Sequence, residues 1–228
     1  MPHARLPVVA LVAAYNEGGS IGRVVNALCG LKDVAEVLVV ADGSTDGTAE
    51  EARAAGARVL RAPKRMGKGR SLDAALDRVD TGGAFLLVDG DVGDSAAQAS
   101  VLLEEVLSGR LDLAIGVLPP QAGGGLGLVK RMSGALIRGL TGFAPQAPLS
   151  GQRAITWRAL AECRPLAAGF GLETAMTIDA VRLGFRVGEV PVAMSHRPTG
   201  RGLQGFVHRG RQGADILLAV APRAAGLR

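Results

Sequence analysis

Pro7-Val-Val-Ala-Leu-Val-Ala-Ala-Tyr-Asn-Glu17 decides how the rest of the chain is read. The apolar run from Val8 to Ala14 stops abruptly at polar residues, the mark of a buried strand that opens into a loop. A helical pattern follows at once. Ile21, Val24, Val25, Leu28 and Leu31 recur three and four apart, with Ser20 placed to cap them. His3 and Arg5 ahead of the apolar run resemble the start of a leader peptide, but the immediate helix argues for a strand instead.

Outward from this unit the same alternation repeats. Residues 36–41, 58–60, 84–88 and 111–117 read as further strands. Helices are expected at 48–55, closed by Gly56, along Leu72, Ala75, Leu76 and Val79, and at about 94–107, capped by Asp94. Strand–helix alternation at this spacing predicts an α/β fold whose mostly parallel sheet is covered on both faces. Functional loops then lie at the carboxyl ends of the strands. The polar clusters 15–17, 42–46 and 89–91 all fall there.

Beyond residue 118 the pattern loosens. Residues 119–127 hold two prolines and four glycines, and read as a mobile loop that closes over a ligand. A helix near 128–140, a strand near 153–157, a helix near 172–183, a strand near 186–193 and a helical end follow. No linker or repeat interrupts the chain. Residues 1–228 are therefore read as one domain, with a nucleotide-binding half, 1–118, and an acceptor half, 119–228.

Composition narrows the function. The chain has 228 residues, 48% hydrophobic and 21% charged, enough for a large core. Only 3% are aromatic, too few for a surface that stacks bases, so no nucleic-acid partner is expected. The net charge of +5 lies wholly beyond residue 196, where six arginines face one acid, Asp215. Arg61, Lys64, Arg65, Lys68 and Arg70 form a second basic cluster. Two local patches on a neutral body point to an anionic small ligand or an anionic surface. Cys29 and Cys163 lie in apolar helical patterns and read as buried free thiols of a cytoplasmic protein. No apolar run is long enough to span a bilayer.

Asp89-Gly90-Asp91 is the strongest chemical signal. Carboxylates two residues apart on an extended backbone share a side and repel each other unless a cation lies between them. Hard oxygen donors suit Mg²⁺ or Mn²⁺, which neutralise charge on a departing diphosphate. In Met66-Gly-Lys-Gly69, the flexible backbone and the Lys68 ammonium can approach an anion.

The three clusters carry a family resemblance. Val-Ala-Ala-Tyr-Asn-Glu17, Val-Val-Ala-Asp-Gly-Ser-Thr-Asp46 and Asp89-Gly-Asp91 resemble, in order and spacing, the motifs of family 2 glycosyltransferases and their GT-A relatives. The resemblance implies a Rossmann-like GT-A domain using a nucleotide sugar as co-substrate. It places Ala14, Tyr15 and Glu17 at the nucleoside, Asp42 as acceptor from a base N–H, and Ser44 beside it. Lys68 would reach the base or phosphates, and Asp89 and Gly90 would lie at the ribose or metal. Pro148-Leu-Ser-Gly-Gln152, Gly169-Phe-Gly-Leu-Glu173 and Ser195-His-Arg197 resemble the second half of the glucosyl- and mannosyl-3-phosphoglycerate synthases. That resemblance implies Ser150 and Gly151 at the donor sugar, Glu173 at the sugar or acceptor, and Asp91, His196 and Asp89 at the metal.

The reading is then a metal-dependent hexosyltransferase moving a hexose, from UDP-glucose in the first instance, to a small anionic acceptor of the phosphoglycerate kind. Asp91 and Glu173 are its catalytic candidates, and Asp179 is read as structural. Arg153, Arg197 and Arg201 are candidates for the acceptor's phosphate or carboxylate, a role suited to bidentate guanidinium geometry. Three rivals are a polyprenyl-phosphate transferase working peripherally at a membrane, a nucleotidyltransferase and a non-catalytic nucleotide-sugar binder, the last disfavoured by the intact Asp-Gly-Asp. Ile216-Leu-Leu-Ala-Val220 reads as a buried or dimer-forming helix, with membrane contact as the alternative.

Overall fold

A computed structural model describes residues 7–79, 83–120, 127–195 and 204–226, with backbone only over 204–211. Seven strands form one sheet among the described residues: β1 (Val8–Ala14), β2 (Val34–Asp42), β3 (Arg58–Ala62), β4 (Ala84–Asp89), β5 (Leu113–Val117), β6 (Arg153–Thr156) and β7 (Val187–Pro191). Their order is β3-β2-β1-β4-β6-β5-β7. All neighbours are parallel except β6, which runs antiparallel to both β4 and β5.

This one reversal matters for the site. Arg153, the first residue of β6, pairs with Leu87 near the carboxyl end of β4. The segment just before β6 therefore arrives beside Asp89. Had β6 been parallel, its entry would lie at the far edge of the sheet.

Eight α-helices surround the sheet among the described residues: α1 (Ile21–Cys29), α2 (Thr48–Ala54), α3 (Lys68–Leu76), α4 (Ser100–Leu107), α5 (Gly127–Thr141), α6 (Trp157–Glu162), α7 (Leu172–Arg182) and α8 (Gln204–Ala224). The two-residue period of β1 sorts its side chains between two cores. Val8, Ala10, Val12 and Ala14 pack with α1 and α4 on one face. Val9 and Leu11 pack with α3, α6 and α7 on the other. On α1, Ile21, Val24, Val25 and Leu28 are fully buried, each stabilising the fold by about 1.5–3 kcal/mol. Phe85 and Trp157, with ring centroids 5.6 Å apart, tie β4 to the start of α6.

A third cluster, Val129, Ile137, Ile178, Ile216 and Val220, joins α5, α7 and α8. Ile216 and Val220 are thus buried within the chain, while Leu217 and Leu218 face outward. No described helix is long and apolar enough to cross a membrane.

Several local expectations are corrected. Residues 93–99 form a 3-10 segment before α4, and Asp94 does not cap it but faces Arg23 across 3.6 Å in solvent. Ser20 occupies the cap position of α1, yet its hydroxyl donates elsewhere. Cys29 is exposed at the end of α1, because it falls off the face carrying Leu28; Cys163 is buried as expected. Of the glycine-rich loop, residues 121–126 lie outside the described residues.

Candidate active site

The site forms where β1, β2 and β4 end and the segment before β6 comes in. At β1 the chain turns at Asn16, which adopts φ +55°, a left-handed conformation that asparagine tolerates. The loop after β2 pins this turn. Ser44 Oγ accepts from the Asn16 N–H at 3.1 Å and donates to the Ala14 carbonyl at 3.3 Å. Asn16 Oδ1 accepts from the Thr45 N–H, and Thr48 Oγ1 accepts from the Glu17 N–H at 2.9 Å. Asp46 accepts from the N–H groups of Gly18 and Thr48. The Thr48 hydroxyl also bonds it, and these bonds hold its carboxyl below the ordinary value despite some desolvation. Ala14 is buried, and Tyr15 is 39% exposed with the Arg65 guanidinium 4.0 Å above its ring. Glu17 Oε2 accepts from Ser20 Oγ, which also donates to the Gly90 carbonyl. One serine thereby couples the first motif to the third.

Asp42 is not presented to a base as expected. Its carboxylate is buried, and its oxygens accept from the N–H groups of Met66 and Gly67, each at 2.7 Å. The carboxylate holds the basic loop so that Lys68 starts α3. Gly67 sits at φ +90°, and a Cβ on Gly69 would overlap the Ala167 carbonyl. Both glycines allow α3 to close on the 167–169 turn.

Lys68 is the hub. Its Nζ donates to Asp89 Oδ1 at 2.6 Å and to Glu173 Oε1 at 2.8 Å. Burial works against the ammonium, but the two carboxylates outweigh it and raise its pKa. Glu173 lies in the first turn of α7, where the helix dipole favours its charge. The turn ahead of it is fixed by Asp215 of α8, whose Oδ2 accepts from the Phe170 N–H at 3.2 Å. Asp215, the one acid of the basic tail, had no role on sequence grounds.

Gln152 is the residue that sequence reasoning left without a role. Fully buried, it accepts from the Asp89 N–H at 3.2 Å and donates through Nε2 to Asp89 Oδ2 at 2.7 Å. Both Asp89 oxygens are therefore engaged, one by Lys68 and one by Gln152. Gly151 is required by this closeness, since a Cβ there would overlap the Asp89 carboxylate and the Lys68 ammonium. Ser150 sits at the mouth of the same loop, its Oγ accepting from the Gln152 N–H at 3.4 Å.

Arg153 corrects another expectation. It is 1% exposed and cannot reach an acceptor. Its guanidinium donates to the carbonyls of Ser150 at 2.8 Å and Pro148 at 3.5 Å, and to Thr177 Oγ1 at 3.0 Å. Burial pushes it down to about 10, opposed first by Glu173, so it remains a cation at neutral pH. It buttresses the Pro148–Gly151 loop from below. Asp179 is structural as read, paired with Arg223 of α8.

The carboxylates of Asp89 and Asp91 flank Gly90 and are donors of the type Mg²⁺ or Mn²⁺ takes. Asp89 is committed to Lys68 and Gln152, and Asp91 stands two residues further on. Among the described residues no third His, Cys, Asp or Glu joins them. His196, Arg197 and Arg201 lie outside the described residues.

A protein-family model described as glycosyl transferase family 2 matches residues 9–154. Over 197 residues the chain is 30% identical to the glycosyltransferase AglJ of Haloferax volcanii, covering 85% of this chain and 64% of that protein. Over 207 residues it is 32% identical to glucosyl-3-phosphoglycerate synthase of Mycolicibacterium paratuberculosis, covering 78% and 61%. It thus spans less than two thirds of the length of these two relatives. Among solved structures, glucosyl-3-phosphoglycerate synthase from Mycobacterium tuberculosis with Mg²⁺ and uridine diphosphate superimposes with a TM-score of 0.79. That match has 28% identity and covers 94% of this chain and 79% of the other. The same enzyme with Mn²⁺, UDP-glucose and phosphoglyceric acid gives 0.79 at 27% identity, covering 95% and 80%.

Proposed function

The chain belongs to glycosyl transferase family 2, and from that premise we propose that it transfers a hexose from UDP-glucose to a small anionic acceptor, such as a phosphoglycerate-like compound. One observation carries this reading. Asp89, Lys68 and Glu173 meet in a line of two charge-assisted hydrogen bonds at the carboxyl end of β4, where an α/β sheet presents its ligands. The resemblance to structures holding UDP-glucose, Mn²⁺ and phosphoglyceric acid supports the choice of substrates.

Each side chain then has a task. Tyr15, Glu17 and Ser44 border the nucleoside. Asp42 sets the basic loop, and through it Lys68. Lys68 keeps Asp89 and Glu173 at a fixed separation and brings positive charge toward the donor diphosphate. Asp91, with His196, would hold Mg²⁺ or Mn²⁺, which when bound supplies positive charge to the leaving diphosphate. Glu173 faces the sugar and the incoming hydroxyl. Ser150 and Gly151 shape the floor under the hexose, and Arg197 and Arg201 are candidates for a carboxylate or phosphate of the acceptor near the sugar. The setting is cytoplasmic, in keeping with two free thiols.

Calorimetric titration with UDP, GDP, UDP-glucose and GDP-mannose, with and without Mn²⁺, tests the reading on wild type and Asp91→Ala. Metal-dependent binding of the uridine nucleotides, lost in the variant, is expected. Binding indifferent to both metal and variant would sink it.

A further inference from the structure

Apart from the Asp89 cluster, the chain has an open groove of about 610 Å³ between α5 and residues 144–148. Lys130, Arg131 and Arg138 line it beside Gly134, Pro145 and Pro148. All three cations are exposed, none has an ion pair in the described structure, and no carboxylate is among the lining residues. On the opposite side, Glu189 accepts from the N–H groups of Gln146 and Ala147. That pairing stiffens the opposite wall, and the three lining cations outnumber its one carboxylate. Uncompensated cations in a concave site focus potential on an anion, and the volume is that of a small-molecule site.

Two connections lead from the groove to the Asp89 cluster. Pro148 opens the Pro-Leu-Ser-Gly151 loop whose last residue abuts Asp89 and Lys68. Ser133, the neighbour of Gly134 on α5, is 2.7 Å from Thr174, which follows Glu173. The helix that presents the cations is thus bonded to the helix that presents Glu173. Chain geometry puts Pro148 within roughly 10 Å of Gly151.

The geometry points to this groove as the seat of the acceptor's phosphate-bearing end, so that the acceptor is a phosphorylated molecule longer than a three-carbon acid. This rests on the glycosyl-transfer reading. The reacting hydroxyl lies at Glu173 while the distal phosphate takes hydrogen bonds from Arg131, Arg138 and Lys130.

The test uses the full chain and the exposed-face variant Lys130→Ala/Arg131→Ala/Arg138→Ala. Inorganic pyrophosphate is titrated without divalent metal, and UDP with Mn²⁺ is the donor-site control. The variant should weaken pyrophosphate binding about tenfold or more and leave UDP affinity within about twofold. Initial rates with 3-phosphoglycerate and with hexose 6-phosphates as acceptors should show the longer compounds preferred by wild type. Their KM should rise in the variant at constant donor KM. Equal pyrophosphate binding by both proteins overturns the proposal. So does lost pyrophosphate binding with unchanged acceptor KM, which would make the groove a site for a separate phosphate. If wild type binds no UDP, the transfer reading falls, and the pyrophosphate titration still judges the groove.

Discussion

Gln152 and Asp89 hold each other reciprocally: the Gln152 amide accepts from the Asp89 backbone N–H and donates to the Asp89 carboxylate. An amide is the one side-chain group of this length that can do both at neutral pH. Replacing it with glutamate sets a buried carboxylate against Asp89. Gln152→Glu should lose about 10²-fold in kcat/KM at neutral pH through misplacement of Asp89. The loss should shrink as pH falls, because a protonated glutamate again donates to Asp89. A pH-independent deficit would mean that Gln152 serves packing alone.

Gly151 lies so close to the Asp89–Lys68 pair that a Cβ there would overlap both side chains. Gly151→Ala should fold, with activity reduced on the order of 10²-fold because Lys68 or Asp89 must move by about an ångström. Transfer rate and thermal melting read the two effects separately. Retained activity would show that the loop, not the ion pair, gives way.

Arg223 and Asp179 form a nearly dry ion pair that clamps α8 onto α7, with side-chain exposures of 4% and 7%. Arg223→Ala leaves a buried carboxylate uncompensated, at a cost of about 3–5 kcal/mol. That corresponds to a melting temperature lower by on the order of 10 °C. The double variant Arg223→Met/Asp179→Leu should recover much of the loss. No recovery would mean that the Arg182 contact to the Arg223 carbonyl, not the ion pair, sets the stability.

Asp112 joins β5 to the turn before β7 through Arg186. The Arg186 guanidinium, helped by its backbone N–H, holds the Asp112 carboxyl below its ordinary value of 3.8 despite partial desolvation. A carboxyl lowered on folding contributes stability above its unfolded pKa and loses it as pH falls through the folded one. Asp112→Asn should therefore melt a few degrees below wild type at pH ~7, with the gap closing below pH ~4. A gap constant with pH would assign the effect to hydrogen bonding rather than charge.

The strands β1 to β5, the helices α1 to α3 and the three polar clusters at strand ends were legible in the sequence, because period and punctuation are local properties. Asp91 was singled out from residue type and spacing, Glu173 through the family resemblance, and Asp179 was set aside on helical phase. The partners of Asp42, Lys68 and Arg153 were not legible. Whether a carboxylate faces a ligand or a backbone N–H depends on chain brought in from elsewhere, here Met66 and Gly67 for Asp42.

By itself, then, the sequence determined an α/β chain with its polar chemistry gathered at one edge of the sheet. Only the tertiary structure decided that β6 runs against its neighbours and delivers Gly151 and Gln152 to Asp89. Alternation of apolar residues is the same for a strand read in either direction, so strand polarity is set by the crossing of the chain and not by the residues of the strand. The same holds for Lys68. Its ammonium lies between Asp89 and Glu173 because α3 and α7, 105 residues apart in Lys68 and Glu173, are packed together at the 167–169 turn.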